Sequence, residues 1–233
     1  MLKAQAVIQD ALGIEATARL KTVNTIVEKL RRERTRLAEM QDIGGLRIVK
    51  EMSITDQDQV VTAVAALLSR VRIQDRRSSP SYGYRAVHLI GVVDEHQIEI
   101  QIRTELQDGW AQAFEKLADV VGRDVRYGGE PTRSGDEARS LVRFLQRLSR
   151  VIAESEMMDP QNRKIRDDVA MLKDRIRSAG ENAQPSLDAR IEMEALQSTL
   201  EGNERRAAAT AAAARDLLDA LGKLLSGMIS ERR

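Results

Sequence analysis

The chain has 233 residues, of which 37 are Lys or Arg, 36 are Asp or Glu, two are His and none is Cys. This near balance of charge gives no bulk attraction to nucleic acids or membranes, and the lack of Cys excludes disulfides and thiol chemistry. The longest apolar run, residues 60–68, is too short to span a bilayer, and the first residues show no signal-peptide pattern. We therefore expect a cytoplasmic protein.

Two helices are predicted before residue 41. A short helix covers about residues 4–11, and a basic helix runs from Arg19 to about Met40, where apolar residues recur at helical spacing. At about 100° per residue, the side opposite the apolar positions carries Lys21, Thr25, Lys29, Arg32 and Arg36. This cationic stripe is either a solvated face paired with nearby Glu residues or a surface that binds anions.

A carboxylate stands just ahead of the first predicted strand. Asp42 precedes the β-rich run 46–50, and the Gly44–Gly45 pair between them allows close approach of another backbone segment. Oxygen ligands of this kind suit a hard divalent cation. Asp42 is therefore a candidate metal ligand.

The segment from Ser81 to Thr104 is the most informative part of the chain and is predicted to contain an antiparallel hairpin. Because side chains alternate along a strand, Glu99, Gln101 and Arg103 share one face, and the other face is left with Ile alone. An ordinary half-solvated hairpin would also explain this alternation. However, two carboxylates that are well apart in sequence, together with many cationic side chains, suit the binding of a polyphosphate. Its negative charge would be shared between Arg or Lys side chains and Mg²⁺.

The remaining elements complete an α+β fold with a mixed sheet flanked by helices. A helix at 56–70 and a strand at 71–74 precede the hairpin, whose strands cover 86–93 and 97–103, and a helix at 105–120 follows with Trp110 on its apolar stripe, where we expect core packing. Beyond residue 131 helices are predicted at 136–157, 162–178 and 186–229, separated by Asp159–Pro160 and by residues 180–185, with a possible break at Gly202–Asn203. We divide the chain into a catalytic domain, 1–130, and a helical oligomerisation or regulatory region, 131–233.

Four short motifs occur in order between residues 15 and 128. They are Arg-x-Lys with a following hydroxyl and Lys (Arg19, Lys21, Thr25, Lys29), Asp-Ile-x-Gly-x-Arg (42–47), Gly-Tyr-Arg-x-x-His (83–88) and Glu-x-Gln-Ile-Arg-Thr (99–104). This set resembles the RelA/SpoT-type synthetase domain, and more narrowly the small alarmone synthetases. The resemblance implies a nucleotidyltransferase-like fold and a pyrophosphokinase, which moves the β,γ-diphosphate of ATP to the ribose 3′-hydroxyl of GDP or GTP and releases AMP.

The same resemblance implies a role for individual residues. Arg19 and Arg47 should sandwich the adenine of ATP, and Lys21, Thr25, Lys29 and Arg32 should hold its phosphates. Asp42 and Glu99 should bind Mg²⁺, with Glu99 also the candidate general base. Tyr84 should stack on the acceptor guanine, His88 and Gln101 should lie near its ribose or phosphates, and Arg72, Arg76 and Arg77 are candidates for contacts with the acceptor.

The acceptor is left open because residues 75–82 depart from the family pattern. Adenosine nucleotides or the 3′ end of tRNA are alternatives, and Arg72, Arg76 and Arg77 suit a nucleotide phosphate, an RNA backbone or solvent equally. A catalytically silent nucleotide sensor is the non-enzymatic alternative, against which the presence of both Asp42 and Glu99 argues. The two His residues cannot supply the His-Asp metal cluster of a family hydrolase, and the terminal helices suggest a homo-oligomer.

Overall fold

The computed structural model describes residues 2–21, 23, 26–27, 30–31, 36, 44–93, 96–132, 135–178 and 186–231. Its elements are α1 (Leu2–Leu12), β1 (Thr17–Leu20), β2 (Gly44–Lys50), α2 (Ile54–Ala66), β3 (Ser69–Asp75), β4 (Val87–Val93), β5 (His96–Thr104), α3 (Glu105–Val121), a 3₁₀ helix (Arg123–Tyr127), α4 (Gly135–Glu156), α5 (Met158–Ser178) and α6 (Leu187–Ser230). The predicted α+β class with a helical C-terminal region is confirmed.

The five strands form one mixed sheet in the order β1-β2-β5-β4-β3. Strand β2 runs parallel to β5, and the other neighbouring pairs are antiparallel. The predicted hairpin is β4–β5, in which Val93 pairs with His96. Strand β5 therefore lies at the centre of the sheet, and its side chains have neighbours on both sides.

One face of the sheet is apolar and packs on α1 and α2. Ile98, Ile100 and Ile102 of β5 are buried there together with Leu46 and Ile48 of β2. Ala4 and Ile8 of α1 and Val61 and Val64 of α2 complete this core. The alternation along β5 thus buries the Ile side chains and turns the other row of β5 to the opposite face.

A second core joins α3 to the helical C-terminal region. Trp110, as predicted, is buried there, and its Nε1 donates a hydrogen bond to the carbonyl oxygen of Leu145 in α4 at 2.6 Å. Leu218 and Leu225 of α6 are buried in the same cluster. Helix α3 therefore lies between the sheet and the helices that follow it.

The junction between β5 and α3 is short and sharply defined. Thr104 ends β5 and caps α3, since its hydroxyl accepts from the backbone N–H of Gln107 while the Gln107 side chain accepts from the backbone N–H of Thr104. This capping box satisfies donors that a helix start leaves without partners. It brings Asp108, four residues into α3, next to the end of β5.

Four sequence predictions are wrong at element boundaries. The helix predicted at 56–70 ends at Ala66, because the chain from residue 69 pairs with β4 as an edge strand. The basic helix does not begin at Arg19, because residues 17–20 pair with β2 as an edge strand, and helical conformation is described only from residue 23. Pro160 does not separate two helices, because it lies in the first turn of α5, where proline is tolerated. Gly202–Asn203 does not break α6, which is one helix of 44 residues.

The continuity of α6 has a local explanation. A glycine inside a helix costs only about 1 kcal/mol, and α5 packs along α6 in this region. Glu204 also pairs with Arg166 of α5 at 2.7 Å.

Among the helices described here, none combines the length and the apolar composition needed to cross a bilayer.

Candidate functional site

A row of polar side chains crosses the sheet on the face opposite the apolar core. Arg19 of β1 pairs with Gly45 of β2, Gly45 pairs with Glu99 of β5, and Gln101 pairs with both Arg47 and His88. Paired residues on neighbouring strands project to the same face. The sheet therefore brings together Arg19, Arg47, His88, Glu99 and Gln101, which come from four different strands.

The close approach of β2 to β5 depends on a glycine. A Cβ atom added at Gly45 would lie 2.8 Å from the carbonyl oxygen of Glu99, a distance that a real side chain does not tolerate. Gly45 thus lets the chain pass directly beside Glu99. The same strand then carries Arg47 to the position opposite Gln101.

Glu99 is held at the centre of the row by two neighbours. His88 Nδ1 lies 2.7 Å from Glu99 Oε1, and Gln101 Nε2 donates to Glu99 Oε2 at 3.3 Å. The Glu99 side chain is only 14% exposed. An ionised carboxylate only accepts hydrogen bonds, so His88 donates to it through Nδ1, and Nε2 is an acceptor when the ring is neutral.

A continuous chain of hydrogen bonds runs from Arg103 to Glu99. Arg103 Nη2 donates to the Tyr84 hydroxyl at 2.8 Å, and that hydroxyl lies 2.8 Å from His88 Nε2. Burial, partly opposed by Arg103, raises the pKa of Tyr84, so its hydroxyl stays protonated and can donate to Nε2 of a neutral His88. In that tautomer every bond in the chain is oriented toward Glu99.

Arg103 is the buried anchor of this network. Its Nη2 also donates to Gln101 Oε1 and its Nη1 to Asp108 Oδ1, both at 2.8 Å, and its guanidinium carbon lies 5.0 Å from the centroid of the Tyr84 ring. Arg103 is 2% exposed. One face of Tyr84 is thus covered by a cation, and stacking of a base on this ring has to use the other face.

The two arginines expected to hold adenine both pair with α3. Arg47 Nη1 lies 3.5 Å from Asp108 Oδ1, and Arg19 Nη2 lies 3.3 Å from Glu115 Oε1. Burial, and then the neighbouring charge of Arg103, lower the pKa of Arg47, while Asp108 opposes this shift. Arg19 and Arg47 therefore belong to one electrostatic cluster with α3 and Arg103.

The loop before β4 is fixed by α3 and α4. Gly83 has φ +98°, and a Cβ there would lie 2.7 Å from the Trp110 ring, so glycine is required. The Ser149 hydroxyl of α4 donates to the Gly83 carbonyl oxygen at 2.5 Å and accepts from Arg85 Nε at 3.1 Å. These contacts hold Tyr84 in place.

The candidate acceptor arginines occupy different surroundings. Arg72 lies on β3 opposite Ile90, which itself pairs with Glu99, so it belongs to the polar face. The Arg77 side chain instead bonds Asp75 and Asp58 and donates to Gln57 Oε1 of α2. The backbone N–H of Arg76 donates to the Ala86 carbonyl oxygen.

Four predicted site residues, Thr25, Lys29, Arg32 and Asp42, lie outside the described residues. Lys21 directly follows β1 and is half-buried. Within the described ranges, no three acidic or His side chains converge as a complete metal cluster. The carboxylate oxygens of Glu99 are the hard ligands that Mg²⁺ prefers, so the donor chemistry of this face fits such an ion.

Sequence reasoning assigned no site role to Arg103, Asp108 or Glu115. Arg103 shares the alternating row of Glu99 and Gln101, which is a signal that the sequence does contain. Asp108 and Glu115 are seven residues apart, so they fall on the same side of α3 after two turns. Which side of α3 faces the sheet depends on tertiary packing, and the spacing alone does not reveal it.

Comparison with known proteins finds similarity for the part of the chain that carries this site. Residues 18–118 match the family model described as "Region found in RelA / SpoT proteins". Uncharacterized proteins of Mycobacterium tuberculosis and Mycobacterium bovis are each 39% identical to this chain over 118 residues. Each match covers 49% of this chain and 43% of the relative, so the chain matches less than half the length of these proteins.

A solved structure is also similar. The small alarmone synthetase 1 of Bacillus subtilis bound to AMPCPP matches with a TM-score of 0.41 and 23% identity, covering 73% of this chain and 88% of that one. The polar row, the Arg103–Glu99 chain and the two carboxylates of α3 all lie between residues 18 and 118. The segment that carries this site is therefore the segment that matches the family model described as "Region found in RelA / SpoT proteins".

Proposed function

We propose that this chain is a pyrophosphokinase that transfers the β,γ-diphosphate of ATP to the ribose 3′-hydroxyl of GDP or GTP. The observation that carries the proposal is the position of Glu99. It lies on the polar face between Arg19 and Arg47 on one side and His88 with Tyr84 on the other. A donor nucleotide on the first side and an acceptor on the second would meet at this carboxylate.

The reaction is balanced without any further reagent. The bond between the β-phosphorus and the oxygen that bridges it to the α-phosphorus breaks, a bond forms between the acceptor O3′ and the β-phosphorus, and AMP leaves. The O3′ proton passes to Glu99, which His88 and Gln101 hold in place. Displacement at phosphorus depends mainly on alignment and on neutralising charge, which the proposed phosphate contacts Lys21, Lys29 and Arg32 would supply.

A divalent cation fits this proposal. We assign Glu99 and Asp42 as the residues that would hold Mg²⁺, and Asp42 stands three residues before Gly45, whose backbone passes beside Glu99. When bound, Mg²⁺ supplies positive charge to the phosphate oxygens. Lys21, Thr25, Lys29 and Arg32 remain the proposed phosphate contacts, and residues 1–130 remain the proposed catalytic domain.

The identity of the acceptor is tested by offering several candidate acceptors in parallel reactions. Purified protein is incubated with γ-³²P-ATP, Mg²⁺ and, in parallel, GDP, GTP, AMP, ADP or bulk tRNA, and products are separated by thin-layer chromatography and denaturing gel. We expect label on guanosine nucleotides. Label on adenosine nucleotides or tRNA would support transfer from ATP but show that the acceptor is not a guanosine nucleotide. No label on any of these acceptors would contradict the proposed enzymatic activity and favour a nucleotide sensor.

The donor side is tested at Arg47. In Arg47→Lys the positive charge stays but the planar guanidinium is lost, and stacking of this kind contributes up to about 2 kcal/mol when desolvated. We expect the KM for ATP to rise about tenfold while the KM for the guanosine acceptor stays the same. Arg123→Lys is the matched control, because Arg123 pairs with Asp119 away from the site. An unchanged KM for ATP in Arg47→Lys would contradict the proposed adenine contact.

We also propose that the chain assembles as a homo-oligomer through α6. Leu217 and Leu224 lie seven residues apart on this helix and are 47% and 56% exposed. Seven residues make about two turns, so both leucines lie on one side. Sedimentation equilibrium of the full chain and of a Leu217→Glu, Leu224→Glu double variant tests this proposal. We expect the parent chain to be oligomeric and the double variant to be monomeric. A monomeric parent chain would contradict the assembly.

A further inference from the structure

Helix α3 reaches the donor side of the polar face at two points. Asp108 contacts Arg47, and Glu115 contacts Arg19, with the N···O distances of 3.5 and 3.3 Å given above. The two carboxylates are separated by seven residues, about 10.5 Å along the helix axis. The two arginines come from different strands, β1 and β2, yet they are tied to the same helix.

The rest of α3 is held firmly by the helical C-terminal region. Lys116 Nζ donates to the Gly222 carbonyl oxygen of α6 at 3.4 Å, and Trp110 bonds the Leu145 carbonyl oxygen of α4. Leu117, one turn from Ala113 and Val121, is buried in the cluster that includes Leu225. The side of α3 that carries the two carboxylates therefore has a fixed position relative to the sheet.

These contacts have a specific electrostatic consequence. After burial and the charge of Arg103, the like charge of Arg19 also lowers the pKa of Arg47, while Asp108 and Glu115 oppose these effects, so the two arginines lie close enough to affect each other. A carboxylate bonded to the edge of a guanidinium leaves the planar faces available for stacking. It also restricts the rotation of a long side chain before a ligand binds, which reduces the ordering that binding requires.

We propose that Asp108 and Glu115 are positioning residues for the donor nucleotide: they hold Arg47 and Arg19 apart and in place for the adenine. This inference rests on the proposed function for the identity of the ligand. Asp108 has a second contact, with Arg103, so its removal also disturbs the acceptor side. Glu115 has no such contact among the described side chains, and its effect is confined to the donor.

The test measures ATP binding directly, without an acceptor, by equilibrium dialysis of the full chain with labelled ATP and Mg²⁺. In Glu115→Gln we expect the Kd for ATP to rise about threefold, the size expected for a half-exposed ion pair, with kcat at saturating ATP unchanged. In Asp108→Asn we expect a rise of about tenfold, because this contact is buried. Asp119→Asn, on the same helix but paired with Arg123 and Arg126, is the matched control and should leave Kd unchanged.

A double-mutant cycle separates positioning from general support of the fold. If Glu115 acts through Arg19, Glu115→Gln has no effect on the Kd in an Arg19→Ala background. A threefold rise that persists in that background, or no rise in the single variant, would overturn the proposal. Glu115 is half-exposed, so its variant folds even if Asp108→Asn does not.

The two proposals fail in different ways. If no acceptor is labelled but ATP binds and the Glu115/Arg19 double-mutant cycle is non-additive, the proposed pyrophosphokinase activity is wrong and the positioning role stands. If labelled product forms and the cycle is additive, the positioning role alone is wrong. Failure of the parent chain to bind ATP would overturn both.

Discussion

Replacing Glu99 by Gln is expected to lower kcat for diphosphate transfer by about a thousandfold or more, since it removes both a proposed base and a proposed Mg²⁺ ligand. The change keeps the size of the side chain: the amide oxygen can accept from Gln101 Nε2, and the amide NH₂ can donate to His88 Nδ1 when His88 adopts its other tautomer. Circular dichroism and the unfolding midpoint should therefore match those of the parent chain. Initial rates at saturating ATP, GDP and Mg²⁺ provide the measurement.

The matched control for this variant is Glu105→Gln. Glu105 is exposed in the first turn of α3, only six residues from Glu99, and takes no part in the hydrogen-bond chain described above. It should retain the parent kcat. A Glu99→Gln protein with near-normal kcat would remove Glu99 from the chemistry, and with it the observation on which the proposed function depends.

The second large effect concerns stability and comes from the helical region. Leu225 of α6 is fully buried against α3, whereas Leu187, in the first turn of the same helix, is 71% exposed. Leu225→Ala removes buried methyl groups and leaves a cavity, so we expect the free energy of unfolding to fall by about 2–5 kcal/mol. Leu187→Ala should change it by no more than about 0.5 kcal/mol.

Denaturation in urea, followed by circular dichroism, measures both variants under the same conditions. The pair is informative because the two changes are chemically identical and lie on one helix. Equal losses of stability would show that α6 does not pack on α3 as described. The expected difference would make the helices after residue 131 part of the fold that supports the site.

Much of the fold could be predicted because local pattern and tertiary environment agree. The Ile row of β5 alternates with polar residues, and one face of that strand is indeed buried while the other carries the site. Arg19 shows the opposite case. Its segment has helical periodicity, but pairing of residues 17–20 with β2 at the sheet edge prevails over that local preference.

The candidate site was predictable only where its residues belong to recognisable motifs. Arg47, Tyr84, His88, Glu99 and Gln101 were expected near one another, and the strand pairings bring them to one face. The acidic side chains of α3 were not expected there, because a helix offers several polar positions and only packing selects which of them meet the sheet. Asp42 and the phosphate contacts at 25, 29 and 32 remain predictions.

The most direct test of the central claim is the stoichiometry of the leaving group. The protein is incubated with ATP, GDP and Mg²⁺, and AMP, ADP and the guanosine product are quantified by mass spectrometry over the time course. Transfer of a diphosphate predicts one AMP for each guanosine carrying a new 3′-diphosphate, with Glu99→Gln forming neither. Formation of ADP in place of AMP, or AMP without a modified guanosine, would contradict the account.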